Sequence, residues 1–159
     1  MKDLGPVSSF LSIQCCKEGR NVITLCQDAY ILSVLRNFSL EDCKGRSSHL
    51  PAGGDFESRE GQKFDKEKYQ QAVGCLGYIS SCTRLDIANA VCRLSQFSQD
   101  PNVNNWKGVQ HVMRYLKETA YYCLTYRKGV GFYSCCDCDW ARDLHDAISI
   151  TGSVVKVNF

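Results

Sequence analysis

Four aspartates, Asp137, Asp139, Asp143 and Asp146, fall within ten residues directly after a run, Gly131 to Cys136, that reads as a strand. Carboxylates gathered at a strand end suit a hard divalent cation such as Mg2+, and a pair of such ions orients water and the leaving oxygen in phosphodiester cleavage. An acidic turn satisfied by solvent is the competing reading of the same residues. A second chemistry is offered by Cys135, Cys136 and Cys138, as a zinc or redox centre. Against zinc, His49, His111 and His145 stand alone, and no second C-x-x-C pair completes a tetrahedral set. A third feature is a stripe of Lys107, His111, Arg114 and Lys117 at helical spacing, broken in sign only by Glu118. Such a row can track a phosphate backbone, and a plain solvated helix face has the same pattern. No Gly-rich phosphate loop, H-E-x-x-H or Ser-centred nucleophile elbow occurs.

The elements that must carry these groups follow from hydrophobic spacing. Phe10 to Cys16 and Asn21 to Cys26 read as two strands around the turn-forming Lys17-Glu-Gly-Arg20, a hairpin. Gln27 to Phe38 spaces Tyr30, Ile31, Val34, Leu35 and Phe38 for one helix. Residues 44–63 lose all periodicity among glycine, serine and mixed charge and are expected to form an exposed linker. Asp65 to Ser81 is a second helix, weakened by Gly74 and Gly77 unless something packs closely on them. A third starts near Thr83, with Asp86 in its first turn, and stops before Pro101; Trp106 to Lys117 is the fourth. Tyr122 to Arg127 and Gly131 to Cys136 read as strands around Lys128-Gly129, and Ile148 to Val157 as a further strand pair. The expected class is α+β, in two modules joined near residue 120.

Composition is ordinary for a globular chain: 159 residues, 44% hydrophobic and 23% charged, with 19 Lys+Arg against 17 Asp+Glu for a net charge of +2. That excludes a disordered tail, a collagen-like fibre and a polybasic arm. With so small a net charge, any grip on nucleic acid is weak and steeply salt-dependent. No apolar run is long enough to span a bilayer, and the first residues lack a secretory signal, so an intracellular location, cytoplasmic or nuclear, is expected. Eleven cysteines, an odd number, then read mostly as small buried hydrophobes in a reducing compartment.

Eight colinear blocks together resemble the Pol polyprotein of copia-type long-terminal-repeat retrotransposons. They are Met1-Lys-Asp-Leu-Gly5, Phe10-Leu-Ser-Ile13, Ile23-Thr-Leu-Cys-Gln27, Tyr69-Gln-Gln-Ala-Val-Gly74, Thr83-Arg-Leu-Asp-Ile-Ala88, Arg93-Leu-Ser-Gln-Phe97, Arg114-Tyr-Leu-Lys117 and Asp137-Cys-Asp-Trp-Ala141. The resemblance implies the end of a reverse transcriptase palm, a primer-grip-like hairpin and a first thumb helix at 1–43, and a linker at 44–63. It further implies thumb and connection helices at 64–119 and the first strands of a truncated ribonuclease H-like α/β domain at 120–159. By the same resemblance Asp137 matches the first metal-binding carboxylate of ribonuclease H, for Mg2+, while Asp139 and Trp140 shape that site. Val22, Ile23, Thr24 and Leu25 would lie near the primer strand, and the face at 107–117 near RNA–DNA hybrid or primer-template. The chain departs from the pattern in having no Tyr-x-Asp-Asp, no Asp or Glu after Asp146, Leu85 where proline is usual and Arg142 where glycine is usual. One carboxylate cluster cannot assemble a two-metal site, so the expectation is a fragment or degenerate copy, catalytically inactive alone.

Overall fold

Apolar residues at three- and four-residue spacing build four α-helices, and the core forms where their stripes meet. The computed structural model describes residues 5, 7–50, 55–129, 131–138 and 151–158, with residue 55 and the last two segments as backbone alone. The strands are β1 (Ser9–Phe10), β2 (Ile13–Glu18), β3 (Val22–Cys26), β4 (Leu124–Arg127), β5 (Gly131–Cys138) and β6 (Thr151–Asn158). The helices are α1 (Asp28–Asn37), α2 (Lys66–Cys82), α3 (Ala88–Ser95) and α4 (Val103–Glu118). One sheet runs in the order β1-β2-β3-β4, and β5 pairs with β6 in a separate ribbon. The chain divides into two compact units, one of residues 1–16 and 24–124 and one of residues 17–23 and 125–159.

In the first unit, β1 and β2 pair antiparallel, with Phe10 opposite Ile13. Their two-residue turn places Leu11 at φ 48° and Ser12 at φ 61°, the left-handed geometry that matches the twist of a tight hairpin. Helix α1 buries Ile31, Val34 and Leu35. It ends in a Schellman motif: Ser39, at φ 58°, donates its N–H to Arg36 O at 3.0 Å, and Leu40 donates to Leu35 O at 2.8 Å. Asp65 caps α2 by accepting from the Lys68 N–H, and Tyr69, Ala72, Val73, Leu76 and Ile79 turn inward. A short 3-10 turn, Leu85–Ile87, leads into α3, which buries Ala90, Val91 and Leu94. Helix α4 adds Trp106, Val109, Val112, Met113 and Leu116 to the same core.

One expectation changes in part. In the segment expected as an exposed linker, residues 44, 46–48 and 59–63 are exposed, but Phe56 is 4% exposed within the core, and Phe64, just after the segment, stacks on Trp106 with centroids 4.6 Å apart. Its described parts, 44–50 and 56–63, form a strap whose backbone carbonyls accept from α4 side chains. Nothing packs on Gly74 or Gly77; a Cβ at either would meet open space, so they only weaken α2. The close approach is instead at Gly108 of α4, where a Cβ would lie 2.9 Å from Leu94 Cδ2 and 3.0 Å from Phe56 Cβ.

The cysteines also differ from expectation. Cys26 and Cys123 form a disulfide, Cα atoms 4.7 Å apart, joining the end of β3 to the start of β4 across 97 positions of sequence. Among the described free thiols none is fully buried: Cys16 and Cys92 are exposed, and Cys15, Cys43, Cys75 and Cys82 are half-buried. On α2 the reason is register, since Cys75 sits one residue before Leu76, at the flank of the inward stripe.

In the second unit, Gly19 takes φ 67° in the β2–β3 turn, and Lys128 donates its N–H to Asn21 O at 2.8 Å. Strands β5 and β6 pair antiparallel from Gly131 opposite Asn158 to Cys138 opposite Thr151. Of the strand pair expected at 148–157, residues 151–157 belong to the single strand β6, and 148–150 lie outside the described residues. The strand expected at 122–127 joins the hairpin's sheet beside β3, and the one expected at 131–136 pairs with β6. No helix among the described residues is long and apolar enough to cross a membrane.

Candidate nucleic-acid interface

Helix α4 begins three residues before the sequence expectation because Asn102 caps it. The Asn102 Oδ1 accepts from the N–H groups of Asn104 and Asn105, both at 2.9 Å, and Asn105 Oδ1 accepts from the Asn102 N–H at 2.8 Å. This is a capping box built from two asparagines, a pattern that an S/T-x-x-E search passes over. The same side chains reach the strap: Asn105 Nδ2 donates to Phe56 O at 2.7 Å and Asn102 Nδ2 to Ser58 O at 2.7 Å. Val103 N–H donates to Gln62 O, and Phe64 N–H to Pro101 O, both at 2.9 Å. The start of α4 is thereby fixed to residues 56–64.

The cationic half of α4 is held by the other end of the strap. Lys117 Nζ donates to Cys43 O at 2.6 Å and Arg114 Nε to Lys44 O at 2.7 Å. Arg46 N–H donates in return to Arg114 O at 3.2 Å. The His111 Nε2 lies 3.0 Å from Ser48 O, a carbonyl, so this nitrogen carries the proton. Burial pushes the His111 imidazole below its ordinary pKa, the Ser48 carbonyl opposes that shift, and the charges of Arg46, Arg114 and His49 reinforce it. Lys107 is exposed and donates only within its own turn, to Asn104 Oδ1 at 3.2 Å. All four predicted cations therefore share one helix, and three of them bind strap carbonyls. Each carbonyl satisfies one donor and carries no net charge, so the positive field remains.

The other predicted site residues are not joined to this face. Val22, Ile23, Thr24 and Leu25 lie on β3, where Ile23 is 41% exposed and Thr24 Oγ1 donates to Cys16 O at 3.3 Å. Among the described residues no hydrogen bond or ion pair links them to α4. Asp137 stands on β5 opposite Gly152 of β6. Asp139, Trp140, Asp143 and Asp146 lie outside the described residues. Neither β5 nor β6 carries a second carboxylate, and among the described residues no three His, Cys, Asp or Glu side chains gather as a metal ion requires. Among the described residues Asp137 is the sole carboxylate on this ribbon, too few oxygen ligands by itself to hold Mg2+. Cys135, Cys136 and Cys138 stand opposite Val154, Ser153 and Thr151 in the register.

Arg84 is the residue sequence reasoning missed. It is 1% exposed, and four of its five guanidinium N–H groups are paired. Nε and Nη2 donate to Asp86 Oδ1 and Oδ2 at 3.0 and 2.8 Å, Nη1 to Thr119 O at 2.8 Å and Nη2 to Thr119 Oγ1 at 2.6 Å. The Tyr115 and Tyr122 rings lie against it at 5.5 and 5.3 Å. Tyr115 Oη also donates to Asp86 Oδ2 at 2.8 Å. Burial alone would raise the Asp86 carboxyl, but hydrogen bonds from Arg84 and Tyr115 and the guanidinium charge hold it below the usual carboxylate value. Arg84 thus closes the C-terminal end of α4, where Thr119 is the cap, onto the α2–α3 corner. An arginine between the Thr83 cap and Asp86 was the available signal.

Comparison with known proteins places this arrangement. The chain is 33% identical to a retrovirus-related Pol polyprotein from transposon TNT 1-94 of Nicotiana tabacum, over 96% of its own length and 12% of that protein. Similarity to the Pol polyprotein from transposon RE1 of Arabidopsis thaliana is 30%, over 98% of the chain and 11% of the relative. The chain is a partial relative of retrotransposon Pol polyproteins. An uncharacterized mitochondrial protein of Arabidopsis thaliana, 33% identical, is matched over 96% of the chain and 63% of its own length. This Pol relative thus spans a small part of the polyproteins and under two thirds of the shorter protein. No family model matches the chain. No solved structure matches it either.

Proposed function

We propose that this chain corresponds to the region of a copia-type Pol polyprotein where reverse transcriptase runs into ribonuclease H. In that reading, 1–43 supplies the palm end, a primer-grip-like hairpin and the first thumb helix, 64–119 the thumb and connection helices, and 120–159 the first strands of a ribonuclease H-like domain. Its role is to contact primer-template or RNA–DNA hybrid through the cationic face of α4, without catalysis of its own, inside the cell. The observation that carries the reading is the alignment of 96% and 98% of the chain with only 12% and 11% of two Pol polyproteins.

The test is fluorescence anisotropy of a labelled RNA–DNA hybrid titrated with the purified chain at 50 and 200 mM salt. We expect binding that weakens about tenfold or more between the two, as release of counterions from a few phosphate contacts dictates. Binding that ignores salt, or none at all, contradicts the reading.

A further inference from the structure

Charge is unevenly placed on the molecule. The strap residues 43–50 carry Lys44 and Arg46 and no acid, and the face of α4 they cross carries Lys107, Arg114 and Lys117 against Glu118 alone. Five cations against one carboxylate is a local excess of four on a chain whose net charge is only +2, so the remainder is net acidic. Of the carboxylates around the strap, Glu41 pairs with Arg36 at 3.3 Å, and Glu118, the one acid already counted, lies against the strap backbone at Gly45. Asp42 precedes the strap and is exposed. Arg46, exposed at the centre of the strap, forms no ion pair among the described residues. His49, half-buried, sets its ring edge-on to Tyr115 with centroids 5.8 Å apart.

Holding four basic groups together costs repulsion, and the backbone bonds between strap and helix are what maintain it. The Arg46 N–H to Arg114 O bond brings these two residues side by side, and the Ser48 carbonyl holds the His111 imidazole within reach of both charges. A phosphate group satisfies such an arrangement, because its oxygens accept from several donors and relieve the repulsion at once.

We propose that Arg46 and His49 of the strap and His111 and Arg114 of α4 form a composite phosphate-binding site, filled by the backbone of an RNA–DNA hybrid. This rests on the nucleic-acid reading above and relocates its centre from the bare helix to the strap–helix seam. Three kinds of donor meet there: a free guanidinium from Arg46, the remaining guanidinium edge of Arg114, and the His111 imidazole, which gains a proton when an anion arrives. His111 is neutral at neutral pH, since burial and the surrounding Arg46, Arg114 and His49 disfavour its charged form. An incoming phosphate reverses the sign of that field, so binding takes up a proton and tightens as pH falls. Lys44, Lys107, Lys117 and Glu118 flank the site and set its background potential.

The experiment compares the wild-type chain with Arg46→Gln, His111→Gln and Lys66→Gln in the anisotropy titration, from pH 5.5 to 7.5. Lys66 is an exposed cation of α2 that donates to Gln99 at 3.0 Å, outside the seam. Arg46→Gln should weaken binding about three- to tenfold and reduce the slope of log K against log salt by about 1, while Lys66→Gln leaves both near wild type. His111→Gln should blunt the tightening seen at low pH. Inorganic phosphate, followed by NMR of the imidazole resonances, should shift His49 and His111 together at millimolar concentration, and the hybrid should do so at far lower concentration. Equal effective concentrations of the two would overturn the hybrid as occupant. A hybrid bound with salt sensitivity but indifferent to Arg46→Gln would overturn the composite site and leave the helix-face reading standing; no binding by the wild type would overturn both.

Discussion

Arg84 carries the largest single structural burden among the described side chains. Its guanidinium holds Asp86, the Thr119 hydroxyl and the Thr119 carbonyl at once, with two tyrosine rings closing over it. Removing it leaves two acceptors unpaired around a cavity, which costs about 3–5 kcal/mol, a large share of what holds a domain of this size. Arg84→Ala should therefore lower the urea midpoint severely, and Arg84→Lys should recover little, since an ammonium cannot replace the fork. A pH series checks the same contact. The depressed Asp86 carboxyl contributes stability that is present above its unfolded pKa and lost as pH falls below about 4. That acid loss should be reduced in Arg84→Ala, and an unchanged acid limb would deny Asp86 its role.

At the scale of elements, α2 should be improvable because its glycines touch nothing. Gly74→Ala and Gly77→Ala are each expected to stabilise by about 1 kcal/mol, read as a higher urea midpoint. Gly108→Ala should do the opposite, because its Cβ would press on Leu94 and Phe56. Destabilisation by either α2 substitution would mean that this face is covered in solution. The helices were legible from the sequence because their apolar stripes repeat at three and four residues, as in Tyr69, Ala72, Val73 and Leu76. The hairpin was legible because Gly19 marks its turn. The strap was not: it holds α4 through its own backbone carbonyls, which no residue type advertises, and Phe56 is one aromatic in a run of polar residues. The start of α4 was hidden for a related reason, since an Asn–Asn capping box has weaker sequence contrast than Ser with Glu. Pairing of β4 with β3 was missed because it closes nearly a hundred residues, while the local turn at Lys128-Gly129 suggested a nearer partner.

For the whole molecule, the described residues and the comparisons point the same way: a partial Pol relative with a well-packed helical core and a cationic seam across one helix. The blocks that carry the family resemblance divide by role. Tyr69 to Gly74 and Thr83 to Ala88 build the core and the Arg84 clasp, whereas Arg114 to Lys117 turns two cations outward onto the strap. Asp137, the carboxylate that the family resemblance assigns to metal, stands on a ribbon whose two strands bring no second carboxylate. The account therefore separates contact with nucleic acid from its cleavage. The most direct test is incubation of an end-labelled RNA–DNA hybrid with the wild-type chain and Asp137→Asn in the presence of Mg2+, followed on a sequencing gel. The account predicts a hybrid that both proteins bind and neither cuts; Mg2+-dependent cleavage by the wild type that Asp137→Asn abolishes would contradict it.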